Sequence, residues 1–332
     1  PPWNTGSSPR KPFPYLAKTL TQLAEAGPRD FYEGRLAKTV IDDIRKSGGI
    51  LSPEDLSSYR ASLQEPIIRE YLDAFIHVHP ELNAGTSLLR ALEILDRPLL
   101  EAGAASPEAF LSIAKALDKV YQERLQKMGD VQGGRQMSCT THLCVIDSKG
   151  GMVTLTQSLL GIFGSKLVLP QTGILMNNRV GRGFSLDENH PNLVGSGKKT
   201  MHTLNCYMVA FAGQPLLVGG TPGGDFQIQA NAQVITNMLD FGLDVQEAVD
   251  APRWNSIPGT DPATLHSEAQ INVEKNMPAE SVQKLLKMGH RVEILDDFGV
   301  HNGAVQVISI DTNSGARYAV SDYRADGQAL IL

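Results

Sequence analysis

Hydrophobic positions recur at helical spacing through much of the first 128 residues, and in short alternating runs after residue 140. Leu16, Leu20 and Leu23 predict a helix that Gly27-Pro28 interrupts. Phe31-Tyr32-Glu33-Gly34 leads into a second helix through Ile44, stopped by Gly48-Gly49. Ser52-Pro53-Glu54-Asp55-Leu56 reads as a helix start, with a hydroxyl N-cap, proline in first position and acids in the first turn. Ile67-Ile68 and then residues 71–79 read as strand. Residues 85–95 predict a helix, and 109–128 a longer one with Leu111, Ala114, Leu117 and Tyr121 as its core stripe.

Residues 140–147 are β-forming, Ser148-Lys149-Gly150-Gly151 turns the chain, and 152–158 return as a second strand. Strand pieces follow at 166–169 and 173–176, then a loop at 179–200 rich in glycine, asparagine and charge. Residues 204–210 and 215–218 form a hairpin across Gly213. The loop Gly219-Gly220-Thr221-Pro222-Gly223-Gly224 opens a helix over 225–239, with further helices at 245–250 and 279–288. Residues 305–310 and 316–320 pair across Asp311-Thr312-Asn313-Ser314-Gly315. Hairpins with flanking helices predict the α+β class, antiparallel sheets covered by helices.

Composition narrows the function classes. A chain of 332 residues, 42% hydrophobic, has ample material for a large core, as one large domain or two ordinary ones. A formal net charge of −6 with no basic run argues against nucleic acid or an anionic membrane as partner. No apolar run approaches the roughly 20 residues of a membrane-spanning helix. Pro1 to Pro9 reads as a loop, which leaves a leader upstream open. The three cysteines, Cys139, Cys144 and Cys206, form neither a disulfide framework nor a CxxC, so no structural zinc site is expected. Free thiols suit a reducing, cytoplasmic compartment over a periplasmic one without fixing it. His77 and His79 alternate onto one strand face but lack a third ligand at suggestive spacing, and read as a surface or core pair.

The candidate chemistry gathers at Cys139-Thr140-Thr141-His142, just after the polar, glycine-rich stretch 129–138. A threonine that becomes an N-terminus carries its own base, because its free α-amine can take the proton from its own Oγ. Thr140-Thr141-His142 with the apolar strand behind it resembles the start of the small subunit of the γ-glutamyltranspeptidase family of self-cleaving N-terminal-nucleophile enzymes. The likeness continues through Phe163-Gly164-Ser165, Gly173-Ile174-Leu175-Met176-Asn177-Asn178 and Gly220-Thr221-Pro222-Gly223-Gly224. It then takes in Ala248-Val249, Ala251-Pro252-Arg253 and Ser321-Asp322-Tyr323-Arg324-Ala325-Asp326-Gly327, all in the family's order. Upstream, FYEG, GGILSPEDLSSY and EPI resemble the end of its large subunit.

The resemblance implies a four-layer αββα sandwich and a precursor cut between Cys139 and Thr140. Residues 1–139 would be the mostly helical end of the large subunit and 140–332 the small subunit, a pair from one chain whose further dimerisation stays open. It implies Thr140 as nucleophile, Ser158 as the hydroxyl hydrogen-bonded to it, and Gly223 and Gly224 as the oxyanion site, with no metal or organic cofactor. Glycine suits that site, since a backbone N–H without a Cβ can approach an oxyanion closely and the following helix directs positive dipole at it. Thr156 shares a strand face with Ser158. His142 lies on the face of Thr140, but the α-amine already supplies a base, so a hydrogen-bonded structural histidine is expected.

The donor pocket departs from the family. Where transpeptidases carry Asn-Asn-Glu/Gln-Met-Asp-Asp this chain has Asn177-Asn178-Arg179-Val180-Gly181-Arg182, so the acid that holds an α-ammonium is Arg182. Where they carry Pro-Leu-Ser-Ser-Met it has Thr200-Met201-His202-Thr203-Leu204, and the serines that hold an α-carboxylate become His202 and Thr203. The asparagine after the strand hydroxyl is Leu160. The family's N-terminal part lies outside these residues, and the stretch before Thr140 is shorter. Thr156, Asn178, Arg179, Arg182, His202 and Thr203 are therefore the candidate substrate contacts. Three readings stay open: a γ-glutamyl hydrolase or transferase acting on a small amide, an amidohydrolase for a small acid without an α-ammonium such as oxamate or a glutaryl amide, and an uncleaved binding or structural relative.

Overall fold

The computed structural model describes residues 13–80, 82–104, 106–128, 138–260, 267–296 and 303–331; the side chains of residues 99, 127, 128, 138, 139 and 182 are also outside the description. The chain divides into two compact units, Pro1–Leu63 with Phe163–Asn177, and Gln64–Ile162 with Asn178–Leu332.

The smaller unit is built from α1 (Pro14–Ala26), α2 (Asp30–Glu33), α3 (Arg35–Lys46) and α4 (Pro53–Ser57). Leu36, Val40 and Ile44 recur every four residues along α3 and meet Leu169 in a small core. Asp43 is buried on the same helix, and its carboxylate accepts from the backbone N–H of Gln171 at 2.9 Å and from its side-chain amide at 2.7 Å. Ser52 and Asp55 form the reciprocal capping box that their spacing foretells.

The larger unit opens with β1 (Ile67–Tyr71) and β2 (Ala74–Val78), an antiparallel pair that turns at Leu72-Asp73, inside the run 71–79 that the sequence reads as strand. Helices α5 (Gly85–Glu93), α6 (Arg97–Leu100) and α7 (Pro107–Met128) follow, then the ribbon of β3 (Ser138–Ile146) and β4 (Met152–Gly161). After α8 (Val180–Gly183) come β5 (Cys206–Phe211), β6 (Gln214–Gly220), the buried helix α9 (Phe226–Leu239) and α10 (Val245–Asp250). The chain continues through β7 (Trp254–Ile257), β8 (Gln270–Glu274), α11 (Ala279–Lys287), β9 (Val292–Leu295), β10 (Gln306–Ile310) and β11 (Arg317–Ser321).

Six strands pair antiparallel in the order β1-β2-β5-β6-β10-β11. One face of this sheet supplies Ile76, Val209, Leu217 and Val307 to a core completed by α5, α7 and α9. The β3–β4 ribbon packs over β5, β6 and β10, with Thr154 and Thr156 facing the Cys206 thiol. Strand alternation sends Leu143, Val145, Val153 and Leu155 to the ribbon's other face, where each stays 40–56% exposed among the described residues. Helix, sheet and ribbon form successive layers of an α+β sandwich.

Strands β7, β8 and β9 make a small separate sheet that the sequence pattern does not reveal. Among the described residues, strand β7 has a strand, β8, on one side only. On the other, Gln229 bonds the backbone of Ser256 through both amide atoms, at 2.9 and 2.8 Å, and Gln233 does the same to Trp254, at 2.9 and 3.2 Å. Four residues of helix rise about 6 Å and two residues of strand nearly 7 Å, so glutamines at i and i+4 match alternate strand residues.

Candidate active site

Strand β3 brings Thr140 to one end of the ribbon, with Ser158 directly opposite on β4. Their hydroxyl oxygens are 2.8 Å apart, a direct hydrogen bond. Pairing slips between Cys139 and Thr140: Thr140 faces Ser158 but Cys139 faces Leu160, leaving Leu159 as the extra residue of a β-bulge. Leu160, 4% exposed, has a left-handed φ of 72° there. Its N–H donates to Ser158 Oγ at 2.9 Å. The bond between residues 139 and 140 thus lies inside a strand and inside the larger unit, opposite a distorted backbone.

His142 is buried two residues along. Its Nε2 is 2.8 Å from Thr154 Oγ1, and the ring fills the space over Gly220, where a Cβ would come within 2.7 Å of Nε2. Burial pushes its pKa down to about 4, so the ring is neutral at ordinary pH, in a structural setting. The same contact sets the Thr140 end of β3 against the end of β6, from which the glycine loop departs.

In that loop Gly223 has φ 132° and Gly224 φ 61°, conformations that side chains disfavour. Both precede the first turn of α9, and their carbonyls accept from Phe226 and Gln227 N–H at 3.1 and 3.2 Å. Thr221, fully buried, braces the loop: its Oγ1 accepts from Ala304 N–H and donates to the Pro222 carbonyl, both at 2.8 Å. Sequence reasoning passes over Thr221, whose hydroxyl has no local partner pattern to mark it.

The candidate substrate contacts have mixed positions. Thr156 points inward beside Cys206. Asn178 is half-buried; its Oδ1 accepts from Gly161 N–H at 2.9 Å and its own N–H donates to the Leu159 carbonyl at 3.2 Å. Thr203 is buried, and His202 half-buried with its carbonyl accepting from Arg124 Nη2 at 2.9 Å. The His202 ring is pushed down to about 4, first by burial and then by the charges of Arg179, Arg124 and His79. Arg179 is half-buried at the start of α8, while the side chain of Arg182 lies outside the described residues. Arg124, 2% exposed, is a basic group near His202 that its place in a core-facing helix conceals in the sequence. No group of three or more metal-ligating side chains occurs among the described residues.

Known proteins resemble this chain over most of its length. The chain is 32% identical over 349 residues to the glutathione hydrolase-like YwrD proenzyme of Bacillus subtilis, covering 95% of this chain and 65% of that protein. It is 30% identical to the oxamate amidohydrolase proenzyme of Klebsiella pneumoniae, over 95% of this chain and 64% of that one. It superposes with a TM-score of 0.76 and 31% identity on a cephalosporin acylase from Bacillus halodurans, over 95% of this chain and 61% of that chain. The chain therefore spans somewhat under two thirds of the length of these relatives. The gamma-glutamyltranspeptidase family model matches residues 8–138 and 131–332, which is nearly the whole sequence, and the chain belongs to that family.

Proposed function

We propose that the chain carries the nucleophile of a self-processing threonine amidohydrolase. The observation that carries this reading is the Thr140 Oγ1–Ser158 Oγ hydrogen bond of 2.8 Å at the bulge beside the Cys139–Thr140 bond. In the precursor Thr140 Oγ attacks the Cys139 carbonyl carbon. The C–N bond breaks as the ester forms, and the amide nitrogen leaves as the Thr140 α-amine with the hydroxyl proton. Water then hydrolyses the ester, freeing Thr140 Oγ and leaving a carboxylate on Cys139. Residues 1–139 and 140–332 become the two subunits of one precursor.

In turnover the α-amine takes the proton from Oγ as Oγ adds to the substrate amide. Backbone N–H groups at Gly223 and Gly224 receive the developing oxyanion, backed by the N-terminus of α9. The amine leaves with the proton, and water, activated by the α-amine, releases the acid from the acyl-threonine. An amine acceptor in place of water would make the same intermediate a transferase.

The basic surroundings of His202 favour an acyl group that carries an anion and no nearby ammonium. Arg124 donates to the His202 carbonyl and Arg179 is half-buried at the start of α8, and a guanidinium pairs with a carboxylate while repelling an ammonium. Oxamate and glutaryl amides are of this class, and one relative is named an oxamate amidohydrolase.

The test is processing of the full-length chain. Purified active protein should yield a fragment beginning TTHLCVID, Thr140→Ala should stay whole and inactive, and Thr140→Ser should retain part of both properties. Full activity from an uncut wild-type chain, or from Thr140→Ala, would overturn the reading. Glutaryl and γ-glutamyl anilides, and oxamate by ammonia release, then rank the acyl groups.

A further inference from the structure

The backbone that bears Ser158 is itself held in place. Leu160 N–H donates to Ser158 Oγ from the peptide plane whose other end is the Leu159 carbonyl, and beyond that plane Leu160 turns left-handed, with φ 72°. That conformation is disfavoured for a non-glycine residue, so neighbouring structure must impose it. Two hydrogen bonds of one residue do so. Asn178 N–H donates to the carbonyl of Leu159, and Asn178 Oδ1 accepts from the N–H of Gly161. They grip the residue before and the residue after Leu160 and leave its own N–H free to point at Ser158.

We propose that Asn178 is a positioning residue, a clamp on the β4 bulge that orients the Ser158 hydroxyl onto Thr140 through Leu160. This differs from the substrate contact that its motif suggests, and it rests on the reading of Thr140 as a self-cleaving nucleophile. A hydroxyl that accepts from a fixed N–H loses part of its rotational freedom, and Ser158 Oγ is held 2.8 Å from Thr140 Oγ1. The clamp serves the precursor and the mature enzyme alike, because the bulge lies opposite the bond to be cut and beside the nucleophile afterwards.

Processing happens without substrate, which separates the two roles. In Asn178→Ala the rate at which purified precursor releases the TTHLCVID fragment should fall by about tenfold, the effect on a barrier of losing one hydrogen bond. The matured fraction should lose kcat with little change in KM. A pure substrate contact would raise KM and leave processing untouched.

A second pair of variants tests the conformation independently. Asparagine tolerates the left-handed region and β-branched valine does not. Leu160→Asn should therefore process within about threefold of wild type, and Leu160→Val should be slower by at least about tenfold. Wild-type processing in folded Asn178→Ala, or equal rates in the two Leu160 variants, would overturn the clamp while the function stands. A wild-type chain that never releases the fragment would overturn the reading beneath it, and the clamp with it.

Discussion

His142 shows how a residue beside the nucleophile serves structure. It shares a strand face with Thr140, yet its ring is sealed against Gly220 and bonded to Thr154. Its folded pKa of about 4 lies below the 6.5 of a free imidazole, because burial disfavours the charged ring. Between those values the unfolded chain binds more protons than the folded one, so stability rises with pH there. The contribution is complete above pH 6.5 and is lost as pH falls through about 4. Urea titrations at pH 7 and pH 5 should show wild type losing more stability on acidification than His142→Gln. Equal losses would mean that other groups carry the acid sensitivity.

At the scale of elements, α9 does more than fill the core. Its residues from Phe226 to Thr236 are all buried, although five of them carry amide or hydroxyl side chains. Gln227 and Asn231 bond the N–H and carbonyl of Asn205, while Gln229 and Gln233 complete the open edge of β7. Each glutamine replaces two ladder hydrogen bonds, so the helix stands where a strand would otherwise pair. Gln233→Ala leaves the Trp254 N–H and carbonyl buried without those partners, at about 1–3 kcal/mol for each unmet group. Chemical denaturation should register the loss, with the Thr140 chemistry intact in whatever remains folded. A change below about 0.5 kcal/mol would mean that water or relaxation satisfies the edge.

At the scale of the whole molecule, two distant motifs meet in one buried charge cluster of the larger unit. Asp322 Oδ2 accepts from Arg253 Nη1 at 2.5 Å, Arg324 pairs with Glu274, and both arginines donate to the Val249 carbonyl at the end of α10. Val305 N–H also donates to Asp322 Oδ2, which anchors the chain next to Ala304 and thus next to Thr221 in the glycine loop. The guanidiniums sit where a helix C-terminus welcomes positive charge. Removing one member strands a buried charge, so Asp322→Ala should cost about 3–5 kcal/mol and show a sharply lower urea midpoint or insoluble expression. A midpoint within experimental error of wild type would show the cluster to be dispensable.

The class of fold, most of its elements and the family are legible in the order of residues. Those follow from local rules: helical stripes, hairpins closed by glycine and asparagine turns, the Ser52 cap, and motifs whose residue order is the evidence. Thr140, Ser158, Gly223 and Gly224 are singled out by the resemblance to the family, since a hydroxyl at a strand start and paired glycines before a helix are ordinary features by themselves. The remaining features arise from contacts between segments far apart in the chain. The bulge at residues 139–140 depends on register across two strands, and the left-handed Leu160 on a grip from Asn178, 18 positions away in sequence. Strands β7 to β9 escaped because they are four or five residues long and β7 draws its second edge from helix side chains. Periodicity records what one element does with its own neighbours; a hydrogen bond between residues remote in sequence leaves no period to read.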